Sequence, residues 1–455
     1  MKRLACIGLA GALVALTALP VMAKPLHLDA NALRQLAFQT VQAGYAKDAL
    51  NMTDSLLSVD PKDATALIIR SQALRALGRL DEAQATARLA LTAAQSDQGR
   101  YGASMAMAQA LSSAGRRTAA QMWLRRAAEY APSERAYEIA RRDFGYVRSR
   151  NPWSLDITAK AAPGSNVNNG SRRDYMTMPG LPIQFEIAPE GQALSGFEFG
   201  LGVTATYRFA PRTADRQTEA RFGFSGQAVA LSAAAMAAAP QAQASDYSYV
   251  ALDAGFSHKR SLDAAGVNTL RLSGSLGHNW YGGDDLSDYL RLSMGVDHKL
   301  ARGSLSFGVS ADRTTRLDSP LQSSDRMAVS LGYGVALGVD RLTVKVEAAE
   351  TASASDEVRS HETSLSLGWR KGAPVAGIGL SAGLELSQQA YATSRYAEGG
   401  RADLTLQANL SMTFVTVEYM GFSPVLNLQA SRNQSNSALH DRDSIGVSIG
   451  IKSSF

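Results

Sequence analysis

DSIGVSIGIKSSF, residues 443–455, alternates strictly. Ile445, Val447, Ile449, Ile451 and Phe455 share one face, while Ser444, Gly446, Ser448, Gly450, Lys452 and Ser454 share the other. A period of two describes a β-strand with one oily face and one small, polar face. In a soluble sandwich the oily face packs on a second sheet, and in an outer-membrane barrel it meets lipid.

Segments upstream repeat the pattern. Phe197, Phe199, Leu201, Val203, Ala205, Tyr207 and Phe209 alternate with Glu198, Gly200, Gly202, Thr204, Thr206 and Arg208. The same period runs through 327–337 and 403–414. About fourteen such segments start near residues 153, 196, 217, 246, 268, 288, 303, 325, 340, 359, 376, 401, 417 and 441. They exceed ordinary globular strands in length, as tilted spanning strands must. A sandwich would need a second apolar layer, yet the opposite faces are Ser, Gly, Thr and charged residues. Connections at about 162–195, 233–245, 317–324 and 391–400 are long, whereas Ala301-Arg302 and 338–340 are minimal. Long loops outside and short turns in the periplasm are the expected alternation. The reading is a transmembrane antiparallel barrel over 153–455, with Phe455 as the terminal signal for barrel-assembly machinery and outer-membrane lipid around the wall.

In front of the barrel the period changes to helical. Residues 28–146 are rich in Ala, Leu, Gln and Arg, and they repeat. Gly44, Gly78 and Gly115 each stand five residues before an alanine, at Ala49, Ala83 and Ala120, and the second interval is three residues longer than the first. Pro61 and Pro132 follow the first and last units; Gln95 holds that place in the middle one. This 34-residue helix-turn-helix pattern resembles the tetratricopeptide repeat, whose stacked pairs leave a concave groove for peptides or proteins. A six-residue connector, 147–152, is expected between the halves. The predicted class is therefore α + β multidomain, with periplasmic α-helical repeats before the barrel.

At the N-terminus Lys2 and Arg3 precede an apolar run from Leu4 to Leu19, and Val21-Met22-Ala23 fits a peptidase site, so 1–23 reads as a secretory signal. Cys6 is the single cysteine of the 455 residues and precedes any apolar core, against lipoprotein cleavage. The remaining chain has no thiol, which excludes disulfides, thiol catalysis and cysteine-bound metal. Charged residues make up 19% with a net charge of +5, and no Lys/Arg run alternates with aromatics, so no nucleic-acid partner is expected. No phosphate-cradling loop is present. His258, His278 and His298 recur every twenty residues, placing His258 and His298 near one rim, without the spacing of a metal site. No local motif marks a catalytic serine or aspartate, so neither enzyme activity nor a cofactor is expected. Arg141, Arg142, Arg148 and Arg150 form a basic collar that a solvated surface or anionic headgroups would explain.

Two stretches carry a family resemblance. APGSNVNNGSRRD at 162–174 and GFSPVLNLQASRNQSNS at 421–437 resemble the barrel of the surface lipoprotein assembly modulator (Slam) family. The matching positions are Ser165, Asn166, Val167 and Asn168, then Gly421, Pro424, Ser435, Asn436 and Phe455. The resemblance implies periplasmic repeats joined to a fourteen-stranded barrel that delivers client proteins, lipidated or soluble, to the cell surface. In a closed barrel the last strand lies between the first and the thirteenth, so Ser165-Asn166 and Ser435-Asn436 are expected to meet at the outer rim and bridge or gate that seam. Two other functions are open to such a chain: a passive porin and an exopolysaccharide exporter.

Overall fold

The computed structural model describes residues 28–210, 213 and 215–453. The expected signal at 1–23 and the terminal Phe455 lie outside the described residues. Seven helices come first: α1 (Ala30–Gln42), α2 (Ala46–Val59), α3 (Ala64–Ala76), α4 (Leu80–Ala93), α5 (Asp97–Ser113), α6 (Arg117–Glu129) and α7 (Glu134–Arg150). They form three antiparallel pairs with α7 closing the stack. Asp29, Asp63, Ser96 and Ser133 cap α1, α3, α5 and α7 by accepting the backbone N–H three residues on. Gly44, Gly78 and Gly115 all have positive φ and end the first helix of each pair. At each, the next residue returns an N–H to a carbonyl five residues back: Tyr45 to Thr40, Arg79 to Leu74, Arg116 to Leu111. Glycine is favoured there because a Cβ disfavours the left-handed backbone. Ala49, Ala83 and Ala120 are fully buried where the two helices of a pair cross. Pro61 lies in the turn after α2, and Pro132 in the turn before α7.

The connector expected at 147–152 is largely helix. α7 continues to Arg150, because Val147 buries against the stack, leaving Asn151 and Pro152 as the junction.

Sixteen strands follow: β1 (Trp153–Gly164), β2 (Tyr175–Thr177), β3 (Gln184–Glu186), β4 (Gly196–Arg208), β5 (Arg216–Leu231), β6 (Tyr249–Ser261), β7 (Asn268–Tyr281), β8 (Asp284–Leu300), β9 (Gly303–Arg316), β10 (Ser324–Leu337), β11 (Asp340–Ser353), β12 (Ser360–Arg370), β13 (Ile378–Tyr391), β14 (Ala402–Phe414), β15 (Phe422–Ser435) and β16 (Arg442–Ser453). β2 and β3 form a small hairpin inside the first long loop, and the other fourteen close an antiparallel barrel, with β16 between β15 and β1. Large exposed side chains such as Leu201, Phe224, Leu292, Val329, Leu365, Leu406 and Ile449 mark the outer face. That belt, on a closed antiparallel sheet, is the construction of an outer-membrane barrel. No helix among the described residues is long and apolar enough to cross a membrane.

We call the rim touched by the helices proximal and the opposite rim distal. The long-and-short alternation of connections holds only in part. The distal turn at 282–283 has two residues, because Gly282 and Gly283 both adopt positive φ. The proximal turns 371–377 and 415–421 are longer than minimal. The thirteenth barrel strand starts at Phe422, since Met420 and Gly421 form the tip of a turn closed by the Tyr419–Phe422 bridge.

Candidate functional site: lumen, seam and helical dock

Alternation that sends Leu and Phe outward sends charge inward. Lys160 meets Glu198 at 2.7 Å, Arg271 meets Asp297 at 2.9 Å, and Arg291 pairs with Asp312. Arg326 reaches Glu347 at 2.9 Å and Glu362 at 3.1 Å on two further strands. Over β14–β16 the same face carries amides and hydroxyls instead: Gln407, Asn409, Asn427, Gln429, Ser431 and Ser448. The lumen face thus carries ion pairs on β1 and β4 and on β7–β12, and amides and hydroxyls over β14–β16.

That closing seam is unlike every other strand junction. β1 pairs with β4 along its full length, from Trp153↔Tyr207 to Gly164↔Gly196. Toward β16 its register pairs are Ala161↔Ile449 and Gly164↔Gly446. Among the described residues, Ile157–Lys160, which this register sets opposite Gly450–Ser453, form no pairs with them.

The distal end of the seam is held by loops. The Ser165 hydroxyl accepts from the Ile445 N–H at 3.0 Å. Asn166 Nδ2 donates to the Asp443 carbonyl at 3.1 Å and to Gly170 O at 2.9 Å. Ser171 Oγ donates to Ala438 O at 2.8 Å, and the Arg172 N–H to Asp441 O at 2.8 Å. Asp441, 2% exposed, takes Arg173 Nε at 3.1 Å and also pairs with Arg432. Burial pushes its carboxyl up, but the two guanidiniums outweigh that and hold it below the usual range. Beside it, burial first and then Arg401 and Arg442 pull the His440 imidazole down to about 4.

Of the two Ser-Asn pairs, one lies on the seam. Asn436 turns the other way: its Oδ1 accepts the Ala402 N–H at 2.9 Å and its Nδ2 donates to Gly400 O at 2.9 Å. Ser435 accepts from the Ser437 N–H at 3.0 Å. The expected meeting of the pairs does not occur, because Asn436 follows the end of β15, whose neighbour on that side is β14. Asn168 shapes the first loop, donating to Gln192 O at 2.7 Å and Glu190 O at 3.0 Å and accepting from the Leu194 N–H at 2.8 Å. Asp441 and Arg173 escaped the sequence reading, although the Arg172-Arg173 pair stands in one quoted stretch and Asp441 and Asp443 just beyond the other.

The helical dock is the other feature that sequence reasoning missed. Arg125 on α6, 7% exposed, donates to Gly421 O at 2.6 Å and Met420 O at 3.2 Å, and lies over the Phe144 and Phe422 rings. Burial, with Arg148 nearby, pulls its guanidinium down to about 10, so it keeps its charge at neutral pH. Glu129 accepts the Met420 N–H at 3.0 Å, and Tyr137 donates to Glu418 at 3.1 Å. Burial and then Glu418 push the Tyr137 phenol up to about 12. Met420 itself has φ +48, a left-handed backbone that costs a non-glycine residue about 1–2 kcal/mol. The dock offsets that strain, because the turn's unusual backbone is what presents its carbonyls to Arg125.

A second anchor sits at the junction. Asn151 Nδ2 donates to Thr118 Oγ1 on α6 at 3.0 Å, and its Oδ1 accepts the Trp153 N–H at 3.2 Å. The helical stack is therefore fastened to β1 on one side of the seam and to the β14–β15 turn on the other, with the end of β16 between.

The remaining candidates are dispersed. His258 bonds Thr218 at 2.8 Å and His298 bonds Asn268 at 2.8 Å near the proximal rim, while His278 bonds Asp288 at 2.7 Å at the distal one. Among the described residues no group of three or more His, Cys, Asp or Glu could hold a metal ion. In the basic collar Arg141 and Arg142 pair with Glu138 and Asp143, and Arg150 stacks on Tyr146.

No family model matches the chain, and no curated protein matches it. Among solved structures, the type III secretion translocator chaperone SycD of Yersinia enterocolitica aligns with 27% of this chain and 88% of its own, at 18% identity and a TM-score of 0.24. The anion-selective porin of Comamonas acidovorans aligns with 67% and 100%, at 12% identity and a TM-score of 0.32. CdiB from Escherichia coli aligns with 65% and 62%, at 11% identity and a TM-score of 0.35. At such scores these likenesses carry no functional weight.

Proposed function

We propose that this chain is a protein-delivery factor of the outer membrane, in which the helical repeats receive a client in the periplasm and the barrel passes it to the cell surface. The carrying observation is the fastening of the stack on both sides of a seam in which Ile157–Lys160 form no ladder with the described part of the closing strand. A stack placed there hands a client directly to the barrel wall. The role matches the one implied by the resemblance to the Slam family, with a lipidated or soluble surface protein as client. In this reading no residue acts as a catalyst and no cofactor takes part, so the work comes from client binding and from folding outside.

A passive channel is the second reading, favoured by the ion-paired lumen face. One comparison separates them. Protease shaving and mass spectrometry of whole cells, with and without the gene, should show one or a few proteins missing from the surface and accumulating in the periplasm. An unchanged surface proteome, together with steady conductance in planar bilayers, would establish the channel instead.

A further inference from the structure

We infer that the edge of β1 at Ile157–Lys160 takes up an extended polypeptide as an added antiparallel strand. The inference rests on the protein-delivery reading and names the recognition step within it.

The argument starts from the backbone. An unpaired strand edge presents N–H and C=O groups at a two-residue repeat, and in a membrane water cannot satisfy them. Lipid tails and glycans offer no matching ladder; another polypeptide backbone does. The four residues of that edge run roughly 13 Å at the usual rise per residue. On its other side it is completely fixed by β4, so it forms a rigid template.

The chain's own closing strand holds this edge weakly. The register that sets Ala161 opposite Ile449 would place Lys160 through Ile157 opposite Gly450 through Ser453, yet no ladder forms there. The strands stay close, since a Cβ on Gly450 would lie 3.0 Å from the Ala159 carbonyl. Gly446 and Gly450 both weaken β16, because glycine adds backbone entropy and no side chain to pack. The distal latch keeps the two strands side by side although no ladder joins Ile157–Lys160 to β16. Faces set the pattern of the incoming strand. Residues beside Ile157 and Ala159 meet lipid and must be apolar, and those beside Thr158 and Lys160 meet the lumen and must be small or polar. The source of that strand is continuous with the dock, because β1 emerges directly from α7.

The test uses the full chain in detergent with Cys6→Ser, which leaves no thiol. Ala159→Cys reports the free edge, and Ala205→Cys on β4, paired on both sides, is the control. The probe is a short synthetic peptide of alternating isoleucine and serine with one activated cysteine, alongside the same peptide with proline at alternate positions. Capture at position 159 should exceed capture at 205 by about tenfold and vanish with the proline peptide, which cannot donate to a ladder. Equal capture at both sites, or none at either, would overturn the inference. So would equal capture of the alternating and the proline peptides at position 159, since binding would then need no ladder. Peptide capture alongside an unchanged surface proteome would keep the strand-binding edge and remove the delivery reading; the reverse result would do the opposite.

Discussion

In the helical stack Ala49, Ala83 and Ala120 are fully buried, and Glu82, Asp97 and Arg100 lie outside; in the barrel Phe224, Leu331 and Ile449 stand outside, and Arg326 with its acids points inward. One stretch of chain was built for water and the next for lipid, with little change in apolar content. The difference lies in period. Residues three and four apart share a helix face that must find a protein partner, while residues two apart share a strand face that a solvent can cover. The stack is therefore sensitive to the volume of its core and the barrel to the polarity of its outside.

The largest effect should come from breaking that rule in the wall. Leu331→Arg puts a charge in the apolar belt, costing about 2–4 kcal/mol near the bilayer midplane. Heat-modifiable gel mobility should show loss of the folded barrel, whereas lumen-facing Ser364→Lys should leave it intact. The corresponding change in the stack is one of volume: Ala83→Leu overfills the crossing with Leu74 and Ala110, for about 1–3 kcal/mol. Circular dichroism of the full chain should show helix melting earlier with the strand signal unmoved.

Between the regions, Arg125→Ala removes two carbonyl contacts and exposes the left-handed turn. The junction at 151–152 should then be cut faster in limited proteolysis, and Arg125→Lys should rescue poorly, since an ammonium lacks the planar fork. A smaller effect follows from acid. His440 is held neutral, its folded value of about 4 lying below the ordinary 6.5, so its contribution is full above about 6.5 and lost as pH falls toward 4. Cleavage of the 436–441 loop by an acid-tolerant protease should rise over that window and stay flatter in His440→Asn. Least of all, Asn436→Ala should cost about 1 kcal/mol and leave the seam unaffected, while Asn166→Ala should loosen it, read as faster labelling of an Ile445→Cys thiol.

How far the sequence carried depended on the range of the interactions involved. Strand starts at 153, 196, 268, 303 and 340 and the three glycine-alanine landmarks are local patterns, so they could be read without a structure. The closing seam was expected from strand number alone, but its partial pairing depends on register between residues almost 300 positions apart, which no window contains. Arg125 looked like any helical arginine, because its partners are carbonyls of a turn at the other end of the chain. Asn166 and Asn436 looked equivalent for the same reason, and only the neighbours of each strand end separate them.

The stiffness of α7 has a mechanical consequence. Its 17 residues make a rod of about 25 Å that runs into β1 across two residues, both hydrogen-bonded. Under the proposed delivery role, a tilt of the stack on client binding would act on that rod as torque on a lever. Its short end is the first turn of β1, with the Arg125 dock as the fulcrum on the far side of the seam. Load on the repeats would thus be converted into separation of two strands, with no chemical fuel in the linkage.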